Sequence, residues 1–372
     1  MSTLQEPVNI ALQIKNIDLL KIFIPPFISF AIGMLSVPLI TKFLVRFNLQ
    51  KKKNVKLAID GKPATLTAKI DNDEGKVLYR MGALVVFAGL FGSVVFFRVL
   101  PIIFHDDSVL ALNFLSRSQT WIPISALVVG AMIGGIDDLI VCGRLRRFAQ
   151  YIGDGLSLKV RMGVALIIAM ISAWWMTTRL GMTSLYVPFV GTLAVGWVIF
   201  TVVAVMAIVG TYAGSVIDGV DGLSGGVFSI MYLTFGFIAF LQSRYDLAAL
   251  CFAIVGGLLA FLWYNIPPAR FMLSDLGSMP LTIVLAIIAL LTDSVIVLPI
   301  ITAPLIWSIG SVVIQLLSKK FRGKKVFLAS PLHIHLQLKG WPKHMVSMRY
   351  WILTTICCSL GMILFVAGGY FG

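Results

Sequence analysis

Apolar stretches of about 18 or more residues recur along this chain, and each is long enough to span the hydrocarbon core of a bilayer as a helix. The composition agrees, because 59% of the 372 residues are hydrophobic and only 12% are charged, with a mean hydropathy of +0.96. A soluble chain would carry about twice that charged fraction. We therefore predict an all-α polytopic integral membrane protein, and we exclude soluble, secreted disulfide-rich and disordered chains.

The apolar segments predict about ten transmembrane helices of roughly 20 residues each. They are expected near residues 22–45, 81–104, 121–141, 161–178, 188–211, 223–241, 247–264, 278–293, 295–317 and 350–370. The eighth and ninth are separated only by Asp293 and Ser294. Because the sequence shows no internal repeat and no low-complexity tract, residues 1–372 are expected to form a single transmembrane domain.

The net charge of +14 is spread unevenly, since lysine and arginine gather in segments 51–80, 144–161 and 319–349. Loops rich in basic residues stay on the cytoplasmic side of a membrane. The predicted cytoplasmic connections, with both termini outside, are 49–80, 142–160, 212–222, 265–277 and 318–349. Because basic-rich loops alternate with basic-poor ones, the charge fits a membrane topology better than a nucleic-acid groove, so we expect no nucleic-acid partner.

Five of the 16 acidic residues fall at the predicted cytoplasmic ends of helices. They are Asp137 and Asp138 in GGIDDL, Asp218 and Asp221 in DGVDGLSGG, and Asp275 in SDLGSM. Asp218 and Asp221, which are three residues apart, would share a helix face. A lone aspartate at a helix end could simply cap the helix, but carboxylates at membrane depth are costly and usually functional. Five converging carboxylates favour a Mg²⁺ site, because Mg²⁺ takes hard oxygen ligands and substrate phosphates.

The last predicted cytoplasmic loop contains SPLHIHLQLKGWP, with His333 and His335 two positions apart. Residues at that spacing lie on the same side of an extended segment. Pro331 disfavours a helix just before them. The pair either lies in a loop at the membrane interface or contacts a charged phosphate, with help from Lys339.

Five segments resemble, in the same order, the motifs of the polyprenyl-phosphate N-acetylhexosamine-1-phosphate transferases. They are GGIDDL, GDGLSLKVRM, VIDGVDGLSGG, FLWYNIPPARFMLSDLGSM and SPLHIHLQLKGWP. The last two of these segments are most similar to members that use UDP-MurNAc-pentapeptide. The resemblance implies Mg²⁺ as cofactor, undecaprenyl phosphate as acceptor, and lipid I and UMP as products of peptidoglycan biosynthesis. It also implies the cell membrane as location, catalytic loops on its cytoplasmic face, and a homodimer among the possible assemblies.

Roles follow from the resemblance, residue by residue. Asp275 would be a Mg²⁺ ligand, and Asp137 and Asp138 would serve the metal and the lipid phosphate as catalytic residues, with Asp137 also a ligand. His333, the third catalytic residue, would lie near the diphosphate. The residues that would bind the cofactor and the nucleotide are Asp218, Asp221, Asn265, Lys159 and His335.

The chain departs from the family pattern at several positions. Tyr212 and Ser215 stand where asparagines usually precede DGxDGL, and Ile334 is the middle residue of the histidine motif. These departures leave a second donor open, UDP-GlcNAc or another UDP-HexNAc, for a different surface polymer.

Two further departures concern the start of the site and the metal motif. Met272 occupies the place of the usual aromatic residue, with Phe271 one position early. The lysine of the N-terminal motif, reduced here to LYRMGALVVFAG, would be replaced by Lys76 or Arg80.

Two other classes are weaker predictions. A transporter would place acids near the bilayer midplane and show inverted repeats, which this sequence does not. An inactive relative is disfavoured because every carboxylate of the family pattern is present. Phosphosugar transfer at the cytoplasmic face is therefore the leading prediction.

Overall fold

The computed structural model describes residues 16–50, 78–104, 112–115, 119–145 and 155–369. The helices in these ranges are α1 (Asn16–Arg46), α2 (Ala83–Phe104), α3 (Trp121–Val141), α4 (Leu158–Arg179), α5 (Gly196–Ala213), α6 (Leu223–Leu241), α7 (Tyr245–Asn265), α8 (Ser274–Leu291), α9 (Leu298–Ile301), α10 (Ala303–Arg322), α11 (Leu332–Leu338) and α12 (Lys343–Ala367). A 3₁₀ turn, Gly214–Ile217, follows α5. Strands β1 (Ser184–Val187) and β2 (Gly191–Ala194) pair antiparallel between α4 and α5.

Nine helices of the described part of the chain, α1 to α8 and α12, are long and apolar enough to cross a membrane. This confirms the predicted all-α, multi-pass architecture. The predicted spans 121–141 and 223–241 coincide with α3 and α6.

The predicted fifth span, 188–211, begins too early. Residues 184–194 form the β1–β2 hairpin, and the helix starts only at Gly196. The chain reverses at Pro188, Phe189 and Gly191, and the last two adopt positive φ angles of 67° and 97°. Apolar composition alone could not separate this hairpin from the helix that follows it.

The predicted span 295–317 is interrupted, because α9 ends and α10 begins on either side of Thr302. Pro304, in the first turn of α10, has no backbone N–H to continue the hydrogen-bond ladder. Helix α10 is amphipathic and carries three basic residues in its last turn, so it is not among the nine. The first turn of α10 contacts the 3₁₀ turn, because Leu305 packs against Gly214.

Helix α8 lies at the centre of the bundle, since every residue from Leu276 to Leu291 is buried. A helix that is apolar on all sides is expected to be enclosed by its neighbours. Helix α3 approaches it so closely that a Cβ atom at Gly134 would lie 2.1 Å from the carbonyl oxygen of Asp275. This contact brings the carboxylates at the end of α3 beside the first turn of α8.

Candidate active site

Two arginines join carboxylates from α3 and α8. Asp275 Oδ2 lies 3.3 Å from Arg80 Nη2, and Asp275 Oδ1 lies 3.2 Å from Arg161 Nη1. Arg161 Nη1 also lies 3.4 Å from Asp137 Oδ2, while the backbone N–H of Leu156 donates to Asp137 Oδ1. The ends of α3, α4 and α8 therefore meet around one group of charges, as predicted for the paired aspartates and Asp275.

Asp138 differs from Asp137 because both of its oxygens are fully engaged. Arg80 Nε and Nη2 donate to Oδ1 at 2.9 and 2.7 Å. The Ser274 hydroxyl and the Leu276 backbone N–H donate to Oδ2 at 2.6 and 3.0 Å. A carboxylate has about four lone-pair sites. Asp138 is fully buried, so in this arrangement its role is to hold the segment around Ser274 and the Arg80 side chain.

Ser274 is a central residue of the site that the sequence analysis missed. Its backbone N–H donates to Asp218 Oδ2 at 2.6 Å, and its hydroxyl accepts from the Met81 N–H at 2.9 Å while donating to Asp138. Its φ angle is +60°, which costs a non-glycine residue about 1–3 kcal/mol. A serine in a sequence does not indicate a left-handed backbone. Only its place directly before Asp275 could have suggested a role.

Asp218 and Asp221 do not share a helix face, contrary to the prediction, because residues 218–222 form a turn. Asp218 faces α8 and also accepts a bond from the Ser224 hydroxyl at 2.7 Å. Burial raises the pKa of Asp218 above its ordinary value, and the bonds from the two serines oppose that shift. Asp221 instead faces α12, with its Oδ2 3.6 Å from Lys343 Nζ.

Asn265 and Lys159 occupy very different places. Asn265 is buried, and it accepts from the Gly222 N–H at 2.9 Å and donates to the Phe271 carbonyl at 2.7 Å. It thereby fastens the 218–222 turn to the end of α7. Lys159 is exposed in the first turn of α4, and none of the described contacts joins it to the carboxylates. Phe271 is buried against Tyr264, with ring centroids 6.0 Å apart, so it offers no free face for a nucleobase.

The two histidines point in different directions, and the expectation of an extended segment is wrong because they lie on α11. His333 is buried, and its Nε2 would lie 2.8 Å from a Cβ atom at Gly219. His335 Nδ1 accepts from the Leu328 N–H at 3.2 Å, and its ring packs edge-on against Phe327. The structure therefore brings His333, but not His335, against the 218–222 turn.

Of the two candidates for the N-terminal lysine, Arg80 lies in the site, whereas Lys76 falls outside the described residues. The backbone around Arg80 is held by strand-like pairing. Tyr79 donates to the Arg270 carbonyl at 3.1 Å and accepts from the Met272 N–H at 2.8 Å. This pairing fixes the direction in which the Arg80 side chain leaves the backbone.

The carboxylates can be tested for their fit to Mg²⁺. Within the described ranges, no three His, Cys, Asp or Glu side chains form a ready metal cluster. Mg²⁺, however, usually needs only one or two carboxylates, since substrate phosphates and water complete its shell. Asp137 Oδ2 is buried and accepts no hydrogen bond from the described residues, and Asp275 is the more exposed of the two. Their oxygen chemistry fits Mg²⁺.

Comparison with known proteins adds an independent finding. Residues 120–293 match glycosyl transferase family 4. A phospho-N-acetylmuramoyl-pentapeptide-transferase of Rubrobacter xylanophilus is 38% identical over 176 residues, which cover 47% of this chain and 53% of that relative. One of Acetivibrio thermocellus is 32% identical over 259 residues, covering 68% and 76%. One of Bacillus thuringiensis is 34% identical over 244 residues, covering 65% and 71%.

Proposed function

This chain belongs to glycosyl transferase family 4 and is a phosphosugar transferase, and from that premise we propose that its donor is UDP-MurNAc-pentapeptide and its acceptor undecaprenyl phosphate. The products would be lipid I and UMP, an early step of peptidoglycan biosynthesis. The names of the relatives support this donor. The observation that carries the proposal is the meeting of Asp137, Asp275 and Arg161 where the membrane helices end.

The reaction joins two phosphate-bearing substrates. An oxygen of the lipid phosphate attacks the sugar-bearing phosphorus of the donor, a new phosphorus–oxygen bond forms, and the diphosphate bond to UMP breaks. Positioning and electrostatics supply most of the rate in such transfers. Arg80 and Arg161 stand beside the carboxylates and would bind phosphate oxygens. His333, against the 218–222 turn, would lie near the diphosphate.

We assign Mg²⁺ to Asp275 and Asp137. When bound there, the ion would offset the repulsion between the substrates and stabilise charge on the leaving UMP. Asp138 acts as a positioning residue, because it holds Ser274 and Arg80. The 218–222 turn, with Asp218 and Asp221 and fastened by Asn265, is the proposed nucleotide side.

The site is proposed to face the cytoplasm across the cell membrane. The arrangement supports this, since Arg161 and Lys343, which belong to two of the basic segments, contact Asp137 and Asp221 of the site. Basic loops favour the cytoplasmic side. The homodimer stays a prediction.

The proposal is tested by Mg²⁺-dependent release of UMP from the purified protein with undecaprenyl phosphate. UDP-MurNAc-pentapeptide and UDP-GlcNAc are offered in parallel reactions. We expect release with the pentapeptide donor alone. Release with UDP-GlcNAc alone would keep the chemistry and overturn the donor, and no release with either from folded protein would overturn both.

His333→Ala is expected to lower the turnover at least about tenfold, because His333 is the side chain packed against the 218–222 turn. Since the side chain is buried, the melting temperature should also fall by a few degrees. His344, exposed on α12, provides the matched control His344→Ala, which should change neither quantity. Equal turnover of His333→Ala and the wild type would remove His333 from the active site.

A further inference from the structure

Arg80 is the more enclosed of the two arginines beside the carboxylates. Its side chain is 13% exposed, compared with 31% for Arg161. The backbone N–H of Arg80 donates to the Leu49 carbonyl at 2.9 Å, and the neighbouring Tyr79 pairs with the segment before α8. The Arg80 backbone is therefore held from two sides, and its side chain is largely enclosed.

The Arg80 guanidinium forms short hydrogen bonds to Asp138 and a longer one to Asp275. Nε and Nη2 both donate to Asp138 Oδ1, at 2.9 and 2.7 Å, whereas Nη2 reaches Asp275 Oδ2 only at 3.3 Å. A guanidinium keeps its proton in proteins, so Arg80 carries a full positive charge beside both carboxylates. Its charge is thus anchored on Asp138 and shared with Asp275.

We infer that Arg80 is a built-in counter-charge that competes with a divalent cation for Asp275 and thereby limits how tightly the site holds that ion. The inference rests on the proposed function, which takes Asp275 and Asp137 as the ligands. An ion that takes Asp275 Oδ2 replaces the longer contact of Arg80, while the pair with Asp138 persists. The retained positive charge then repels the ion at short range.

Competition between Arg80 and the ion would link metal binding to nucleotide binding. A cation held weakly by the protein alone is held more tightly once a diphosphate adds its own oxygens, since Mg²⁺ binds substrate phosphates readily. The positive charge of Arg80, still paired with Asp138, would then attract those phosphate oxygens. The ion and the nucleotide therefore bind cooperatively.

The test is direct binding of Mn²⁺, as a paramagnetic substitute for Mg²⁺, to the full-length protein in detergent. Free Mn²⁺ is measured by electron paramagnetic resonance for the wild type and for Arg80→Gln. Removing one nearby positive charge should tighten binding at least about fivefold. Arg270→Gln is the matched control, because Arg270 is an exposed arginine at the same end of the bundle that lies over the Tyr264 ring, and its Mn²⁺ affinity should not change.

A second variant guards against misfolding, because Arg80→Gln leaves the buried Asp138 without its cation. In the double variant Arg80→Gln with Asp138→Asn, the buried pair is removed together and both proposed ligands remain. This variant should also bind Mn²⁺ more tightly than the wild type, because Asp275 no longer contacts Arg80, but less tightly than Arg80→Gln, because the negative charge of Asp138 is lost as well. Unchanged or weaker binding in the folded variants would overturn the inference while leaving the metal site in place.

A different result would count against the proposed function instead. If the wild type and both variants bind no Mn²⁺, with or without UDP, the assignment of the metal to Asp275 and Asp137 fails, and the inference about Arg80 falls with it. The two failures are therefore distinguishable in one titration series.

Discussion

Asp275→Asn is expected to lower Mg²⁺-dependent release of UMP at least about a hundredfold while the protein still folds and inserts. Asp275 contacts both arginines, and its side chain is 27% exposed, in contrast to the buried Asp137 and Asp138. It is thus the carboxylate that an incoming ion can reach. An uncharged amide of the same size keeps the packing of the first turn of α8 but cannot supply the anionic oxygen.

The control for this variant lies just beyond the opposite end of the same helix. Asp293 forms an ion pair with Arg244, with Oδ2 3.4 Å from Nη2, and the length of α8 separates it from the carboxylate cluster. Asp293→Asn makes the same chemical change and should retain the turnover. Both variants are compared by UMP release and by thermal melting in detergent. Substantial turnover of Asp275→Asn, or retained Mn²⁺ binding, would show that Asp275 is not a ligand.

The helical bundle could be predicted well, but its irregular parts could not. Long apolar runs between polar ends, such as those of α3 and α6, have only one stable solution in a bilayer, because every backbone polar group must be paired within the helix. The hairpin at 184–194 and the break at Thr302 also lie within largely apolar sequence. They depend on turn geometry and on packing, which hydropathy does not record.

The site was predictable to the extent that its residues lie in recognisable motifs. Asp137, Asp275 and His333 are placed as expected around one end of the bundle. Ser274 was not predicted, and Arg80 was named only as one of two candidates, with no indication of its carboxylate partners. Ser274 acts through a left-handed backbone, and Arg80 acts through pairing with partners 58 and 195 residues distant in sequence.

The second large effect is expected at Gly134, where α3 touches α8. A Cβ atom at this position would lie 2.1 Å from the Asp275 carbonyl oxygen, 2.6 Å from the Asp275 carbonyl carbon and 2.9 Å from the Leu276 nitrogen. All three atoms are backbone, so no side chain can rotate away. The helices must separate, and we expect Gly134→Ala to lower the free energy of unfolding by about 3 kcal/mol or more.

The same substitution should also abolish turnover in whatever protein remains folded. Separation of α3 from α8 moves Asp137 and Asp138 away from Asp275, and it breaks the bond from the Leu276 N–H to Asp138. Gly210→Ala on α5 is the matched control, since no atom lies within 4 Å of a Cβ placed there. Alanine favours a helix over glycine, so that variant should be as stable as the wild type or slightly more so. Melting temperatures and UMP release are measured for both variants. If Gly134→Ala matches Gly210→Ala in both quantities, α3 and α8 do not pack at Gly134.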